Sequence, residues 1–217
     1  MSFSLLFLDE LKGFYKSKVM IFLLIFVPII ALLFYFIYPG ALIEKIIIAS
    51  VIVSSIGGVL SAAMLSANII NERDTNTYDL FLIRPIKRWN ILVSKYLAVV
   101  ICVSLACMLA LVINILAYMV ESSALPDFLI THITDNIILT FSLIAIGSSF
   151  GVLMGVVLSS LVAAVIIDIF IGQYLMYIPV LLGQFTNDPN LMTAIFGIIL
   201  MIGLLAIAIL LFNKKEF

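Results

Sequence analysis

Apolar runs too long for a soluble core constrain this chain more than any other feature. Six stretches, 19–38, 46–70, 91–119, 137–158, 161–182 and 191–212, are each about twenty residues or longer and nearly free of charge. At 1.5 Å of rise per residue, a helix of about twenty residues crosses a hydrocarbon layer ~30 Å thick. Lipid offers no partners to backbone N–H and C=O groups, so each stretch is predicted to be helical. Composition agrees: 65% of the residues are hydrophobic and 11% charged, against about 25% charged in an average soluble domain. The predicted fold class is an all-α membrane protein with six transmembrane helices.

Residues 1–18 read as an interfacial amphipathic helix, and 19–217 as the six-helix transmembrane domain. Phe3, Leu6, Phe7, Leu11 and Phe14 fall on one side of the first segment, with Ser4, Asp9, Lys12 and Lys16 away from it. The first apolar run lacks a small-residue cleavage site after it, so it reads as a helix that stays in the membrane. Pro28 near its middle predicts a kink. The second run carries Ser50, Ser54, Gly58, Ala62 and Ser66 at every fourth position, and the fourth carries Gly147, Gly151, Gly155 and Ser159. Such stripes let another helix come close. With a cytoplasmic N-terminus and six spans, every one of the eleven basic residues except Lys45 faces the cytoplasm. That bias predicts a multi-pass protein of the cell membrane with both termini cytoplasmic.

The chemistry available is sparse. A formal net charge of −1 argues against a nucleic-acid partner. There is no phosphate-binding glycine loop, no histidine pair for a metal and no Ser/His arrangement, so no catalytic residue and no cofactor are expected in this chain. Cys102 and Cys107 match no metal or redox spacing and read as small buried or lipid-facing residues. His132, near Asp127 and Asp135, reads as an ordinary solvated loop histidine. Asp168 is different: a carboxyl inside an apolar span is costly and is a functional candidate by default. With Gln173 and Tyr174 on the same span it forms a candidate translocation pathway. A carboxyl that only fixes helix packing is the competing reading.

Charge is concentrated in one segment, 71–96, which holds Arg73, Arg84, Lys87, Arg88 and Lys95 between two apolar runs. Thr75 or Thr77 can cap a helix start, and Asp79 would then sit in the first turn, where a negative charge suits the helix dipole. Pro85 disfavours helical geometry at Arg84 and ends the helix there. Tyr78, Phe81 and Leu82, with Leu80 and Ile83 on the other face, form an apolar ridge suited to docking on a partner protein.

Glu72-Arg73-Asp74, Thr77, Asp79-Leu80, Arg84-Pro85-Ile86-Lys87-Arg88 and Lys95-Tyr96-Leu97-Ala98 together resemble the ABC-2 permeases, the membrane subunits of a class of ATP-binding-cassette transporters. The sequence departs from that pattern at Asn76, where glycine is usual, and at Tyr78, where leucine is usual. The resemblance implies a short cytoplasmic coupling helix between the second and third spans, seated in a separate ATPase subunit that binds ATP and Mg. The coupling loop would comprise Glu72, Arg73, Asp74, Thr77, Tyr78, Asp79, Leu80, Phe81, Leu82, Ile83, Arg84 and Pro85. It also implies a second permease copy, identical or not, within membrane lipids, and export across the cell membrane. An ion-coupled secondary transporter and a non-transporting membrane anchor for a cytoplasmic partner are the alternatives. The short external loops and apolar spans lean towards an amphipathic or hydrophobic solute.

Overall fold

Because the apolar runs must satisfy their own backbone groups, they fold as helices, and the way their small and polar residues pair decides how the helices assemble. The computed structural model describes residues 3–75, 88–122, 128–186 and 189–214. In chain order the elements are α1 (Phe3–Tyr15), α2 (Lys18–Ile37), α3 (Leu42–Asp74), α4 (Arg88–Ser122), α5 (Phe128–Val157) and α6 (Leu161–Ile167). A π-helical turn (Asp168–Gly172) then leads directly into α7 (Gln173–Gly183), and α8 (Pro189–Lys214) follows. Among the described residues there is no strand, and six helices are long and apolar enough to cross a membrane, with α6, the π turn and α7 acting as one. The chain is an all-α, multi-pass membrane protein.

Several helices overrun their apolar stretches. α3 has 33 residues and α4 has 35, about 50 Å each, well beyond the ~30 Å of a hydrocarbon layer. The helix therefore does not stop where hydrophobicity does. Asn71, Glu72, Arg73 and Asp74, read from the sequence as the start of a loop, continue α3. Likewise α5 begins at Phe128, so His132 and Asp135 lie on helical backbone and not in a loop. α2 runs through Pro28, which is buried.

α1 and α2 meet at an elbow. The Ser17 hydroxyl donates to the Phe14 carbonyl at 2.7 Å and accepts from the Met20 N–H at 3.2 Å, capping the start of α2. α1 turns back from this elbow to lie against α4, with Leu6 in the same apolar cluster as Ile91 and Leu92.

The centre of the molecule is α3 packed on α5. The two small-residue stripes meet each other: a Cβ added at Gly147 would strike the Gly58 carbonyl, and one at Gly151 would strike that of Ala62. At Gly155 it would lie 3.1 Å from the Ser66 Cα. Nearer the N-terminal end of α3, Ser54 and Thr140 share a hydrogen bond of 2.6 Å, and the Ser61 hydroxyl reaches towards the Ile144 carbonyl at 3.4 Å. Half or more of the apolar core of α3, α4 and α5 is buried (50%, 50% and 56%), against 33% for α2, 22% for the α6–α7 span and 17% for α8. α3, α4 and α5 thus form an inner group, with the other spans around it. Both cysteines are buried in α4, and Cys107 faces Gly57 of α3.

Since the α3–α5 contact is backbone against backbone, Gly147→Val and Gly151→Val are each expected to destabilise the protein by about 1–3 kcal/mol through overpacking. Gly203→Val in α8, where an added Cβ meets nothing within 4 Å, is the control. Reversible denaturation in mixed micelles measures the difference, and equal stability of all three variants would contradict this packing.

Candidate functional site

The end of α3 is where the described charged residues converge. Lys95, in the second turn of α4, is completely buried. An ammonium taken out of water is tolerated only when its charge is matched and its protons are bonded. Here it donates to Oε1 of Glu10 at 2.7 Å and also to Oε1 of Glu72 through a short contact. One buried cation thus joins α1, α3 and α4. Glu10 lies on the inward side of α1, one turn from Leu6 and one from Phe14, in the middle of what reads as an apolar stripe.

The next residue on α3 extends the junction to a fourth helix. The Arg73 guanidinium donates from Nη1 to the Leu158 carbonyl at 2.9 Å, just past the end of α5. The last carbonyls of a helix lack intrahelical partners, and the helix dipole favours a cation there. Arg73 is thus a side-chain cap for α5, with Asp74 3.8 Å from its Nε. Its Nη2 is buried with no hydrogen-bond partner among the described residues. Thr75 ends α3 by donating its hydroxyl to the Asn71 and Glu72 carbonyls at 2.9 and 3.2 Å; any role as a cap for a following helix falls beyond 75. Of the coupling-loop candidates, Glu72, Arg73 and Asp74 are on α3, whereas Thr77, Tyr78, Asp79, Leu80, Phe81, Leu82, Ile83, Arg84 and Pro85 lie outside the described residues.

Sequence reasoning missed the Glu10–Lys95 pair because it counted Lys95 among the residues facing the cytoplasm and gave Glu10 no role. The available signal was phase: Glu10 interrupts the apolar face of α1, and Lys95 sits between the apolar positions Leu92, Tyr96 and Val99 of α4, all buried.

The three pathway candidates do not form one site. Asp168 is fully buried on the π turn. The Ser66 hydroxyl of α3 faces this carboxyl at close to hydrogen-bonding range while donating to the Ala63 carbonyl at 3.2 Å. Neither Asp168 oxygen has a hydrogen-bond partner among the described residues. Gln173 and Tyr174 face outwards, Tyr174 with 79% of its surface exposed. Asn114, fully buried in α4, also has both side-chain polar atoms without a partner among the described residues. At the opposite end of the bundle, Tyr35 donates to Glu121 at 3.2 Å and Lys45 lies 3.7 Å from the same carboxylate, joining α2, α3 and α4.

The fold and these two polar ends define a six-span helical membrane protein braced at both ends by charged side chains. Residues 43–202, from the start of α3 into α8, match the model of a family described as proteins of unknown function, DUF2705; the chain belongs to that family. None of the curated proteins matches it.

Removing Lys95 leaves two partly buried carboxylates facing each other. Lys95→Met is expected to cost about 3–5 kcal/mol, and adding Glu10→Gln and Glu72→Gln in the same chain should recover much of that loss. Thermal or denaturant unfolding of the single and triple variants checks this. A triple variant as unstable as Lys95→Met would show that packing, and not charge, holds the junction.

Asp168 gives the opposite expectation. Asn keeps the shape and removes the ionisable group, so Asp168→Asn should change stability by less than ~1 kcal/mol or raise it. A large loss in the same unfolding measurement would mean that the carboxylate has a partner the fold depends on.

Proposed function

We propose that this protein is the membrane subunit of an ATP-binding-cassette exporter, driven by a separate ATPase that binds the charged segment between its second and third spans. The observation that carries the reading is the position of Glu72 and Arg73, the first residues of the permease-like motif. They end a long rigid helix, and they are tied to α1, α4 and α5 by the Lys95 and Leu158 contacts. A push delivered just beyond Asp74 would therefore reach α1, α3, α4 and α5 together.

In this reading the basic end of the bundle is cytoplasmic, in keeping with the excess of Lys and Arg there, and the chain resides in the cell membrane. The residues from Thr77 to Pro85 dock into the ATPase, and ATP and Mg are bound by that partner and not by this chain. Two permease chains, identical or different, flank one pathway. ATP-driven closure of the ATPases shifts the population of the spans between two arrangements through contacts that differ in the two states. The solute is amphipathic or hydrophobic, in line with the apolar spans.

Asp168 favours a second reading, an ion-coupled transporter, because a carboxyl buried inside a span is the kind of group that binds a coupling ion. One experiment separates the two. Mild-detergent purification of the tagged protein from its native host is expected to bring down a nucleotide-binding subunit with vanadate-sensitive ATPase activity. Charge reversal at Asp79, or Pro at Phe81, should abolish that association without preventing membrane insertion. Transport that follows an imposed ion gradient with no ATPase bound would overturn the proposal.

A further inference from the structure

A groove of about 560 Å³ opens between the α1–α2 elbow and α3, directly beside the Glu10–Lys95–Glu72 junction. We infer that this groove binds a single-chain amphiphile with a protonated amine head, drawn from the adjoining lipid leaflet. The inference does not depend on what drives transport.

The lining changes character along α3. At one end are Glu10, Asn68 and Asn71, beside Glu72; towards the other are Ala67, Met64 and Leu60, with Phe14 of α1 across from them. From Asn71 to Leu60 the groove follows α3 for about 16 Å, so its polar part is a short cap on a longer apolar trough. The volume is within the ~300–1,000 Å³ usual for small-molecule sites. A molecule that fills it needs a small polar head and a narrow apolar body, which is the outline of one acyl or alkyl chain.

Charge selects the head. Among the described residues no basic side chain lines the groove, and the nearby Lys95 is already engaged by two carboxylates. A phosphate, sulfate or carboxylate head would therefore find no free cation among the described lining residues, whereas an ammonium meets a carboxylate there. Glu10 uses one oxygen for Lys95, and Lys95 is its one partner among the described residues. Its second oxygen can accept from an ammonium, and the side-chain carbonyl oxygens of Asn68 and Asn71 can accept hydrogen bonds from its remaining N–H groups. A charge-assisted hydrogen bond of this kind is about twice as strong as a neutral one, so an amine is preferred over an alcohol with the same tail.

The test uses the full chain in phosphatidylcholine nanodiscs, with dodecylammonium, dodecanol and dodecanoate as probes at equal membrane load. A ligand that binds only the folded state raises the unfolding midpoint. Dodecylammonium is expected to raise it by about 5 °C and the other two by much less. Gly13→Leu enters the groove from α1, where an added Cβ meets nothing within 4 Å, and Ala67→Phe fills it from α3. Both should abolish the shift, whereas Glu10→Gln should make the amine and the alcohol equivalent. Equal shifts from all three probes on the unaltered chain would overturn the inference. So would a shift that survives both groove-filling variants. A change of oligomeric state in both would assign the groove instead to an interface between copies.

Discussion

Everything at the basic end of this bundle depends on one buried ammonium. Lys95 is wholly buried, and it cannot lose its carboxylates without becoming a bare charge in a low-dielectric site. Two elements far apart in sequence must therefore each supply an acid at the same depth: α1 supplies Glu10 and α3 supplies Glu72. A requirement this strict fixes the relative height of three helices, which apolar side chains alone do weakly, since they slide past one another at little cost in lipid. The neighbouring Arg73 then fixes the end of α5 to the same plane.

Much of this architecture was legible in advance, and the failures share a cause. Hydropathy anticipated six helices long and apolar enough to cross a membrane, because the penalty for unpaired backbone in lipid applies to every residue of a span. The two small-residue stripes were legible too, and the structure shows that they are each other's partners, Gly147 on Gly58 and Gly151 on Ala62. What periodicity did not supply was the destination of individual charges. Lys95 was counted with the cytoplasm-facing residues because basic residues at membrane edges usually face water, and Glu10 was given no role. Only their helical phase marked them as inward, and only the fold brought them together. Asp168, Gln173 and Tyr174 were grouped by closeness in sequence. In the structure Gln173 and Tyr174 are both exposed while Asp168 is buried. The buried residues next to Asp168 along this span are Ala164, Gly172 and Met176, none of them polar.

Helix ends were the other weak point, for a related reason. The edge of an apolar run marks where the lipid stops and not where the helix stops. α3 continues to Asp74 because its terminal side chains find partners on other helices, and the Thr75 hydroxyl satisfies its last carbonyls. The long form of α3 is therefore a consequence of the same junction that buries Lys95.

The distribution of packing then says what kind of motion the bundle supports. α3 and α5 touch along several turns at backbone distance, and such contacts have no intermediate arrangements: they hold or they break. α4 is joined to α3 by charged contacts at both ends, through Lys95 at one and Glu121 with Lys45 at the other. These three helices behave as one body. The α6–α7 span and α8 bury far less of their surface, and the π turn at Asp168 is a departure from regular helix of the sort often found at functional sites. A displacement applied at Asp74 should then rock the inner body as a unit, with adjustment taken up along the π turn, where the buried carboxyl of Asp168 faces Ser66 of α3. That places the one embedded acid of the fifth span at the boundary between the part that moves as a block and the part that yields.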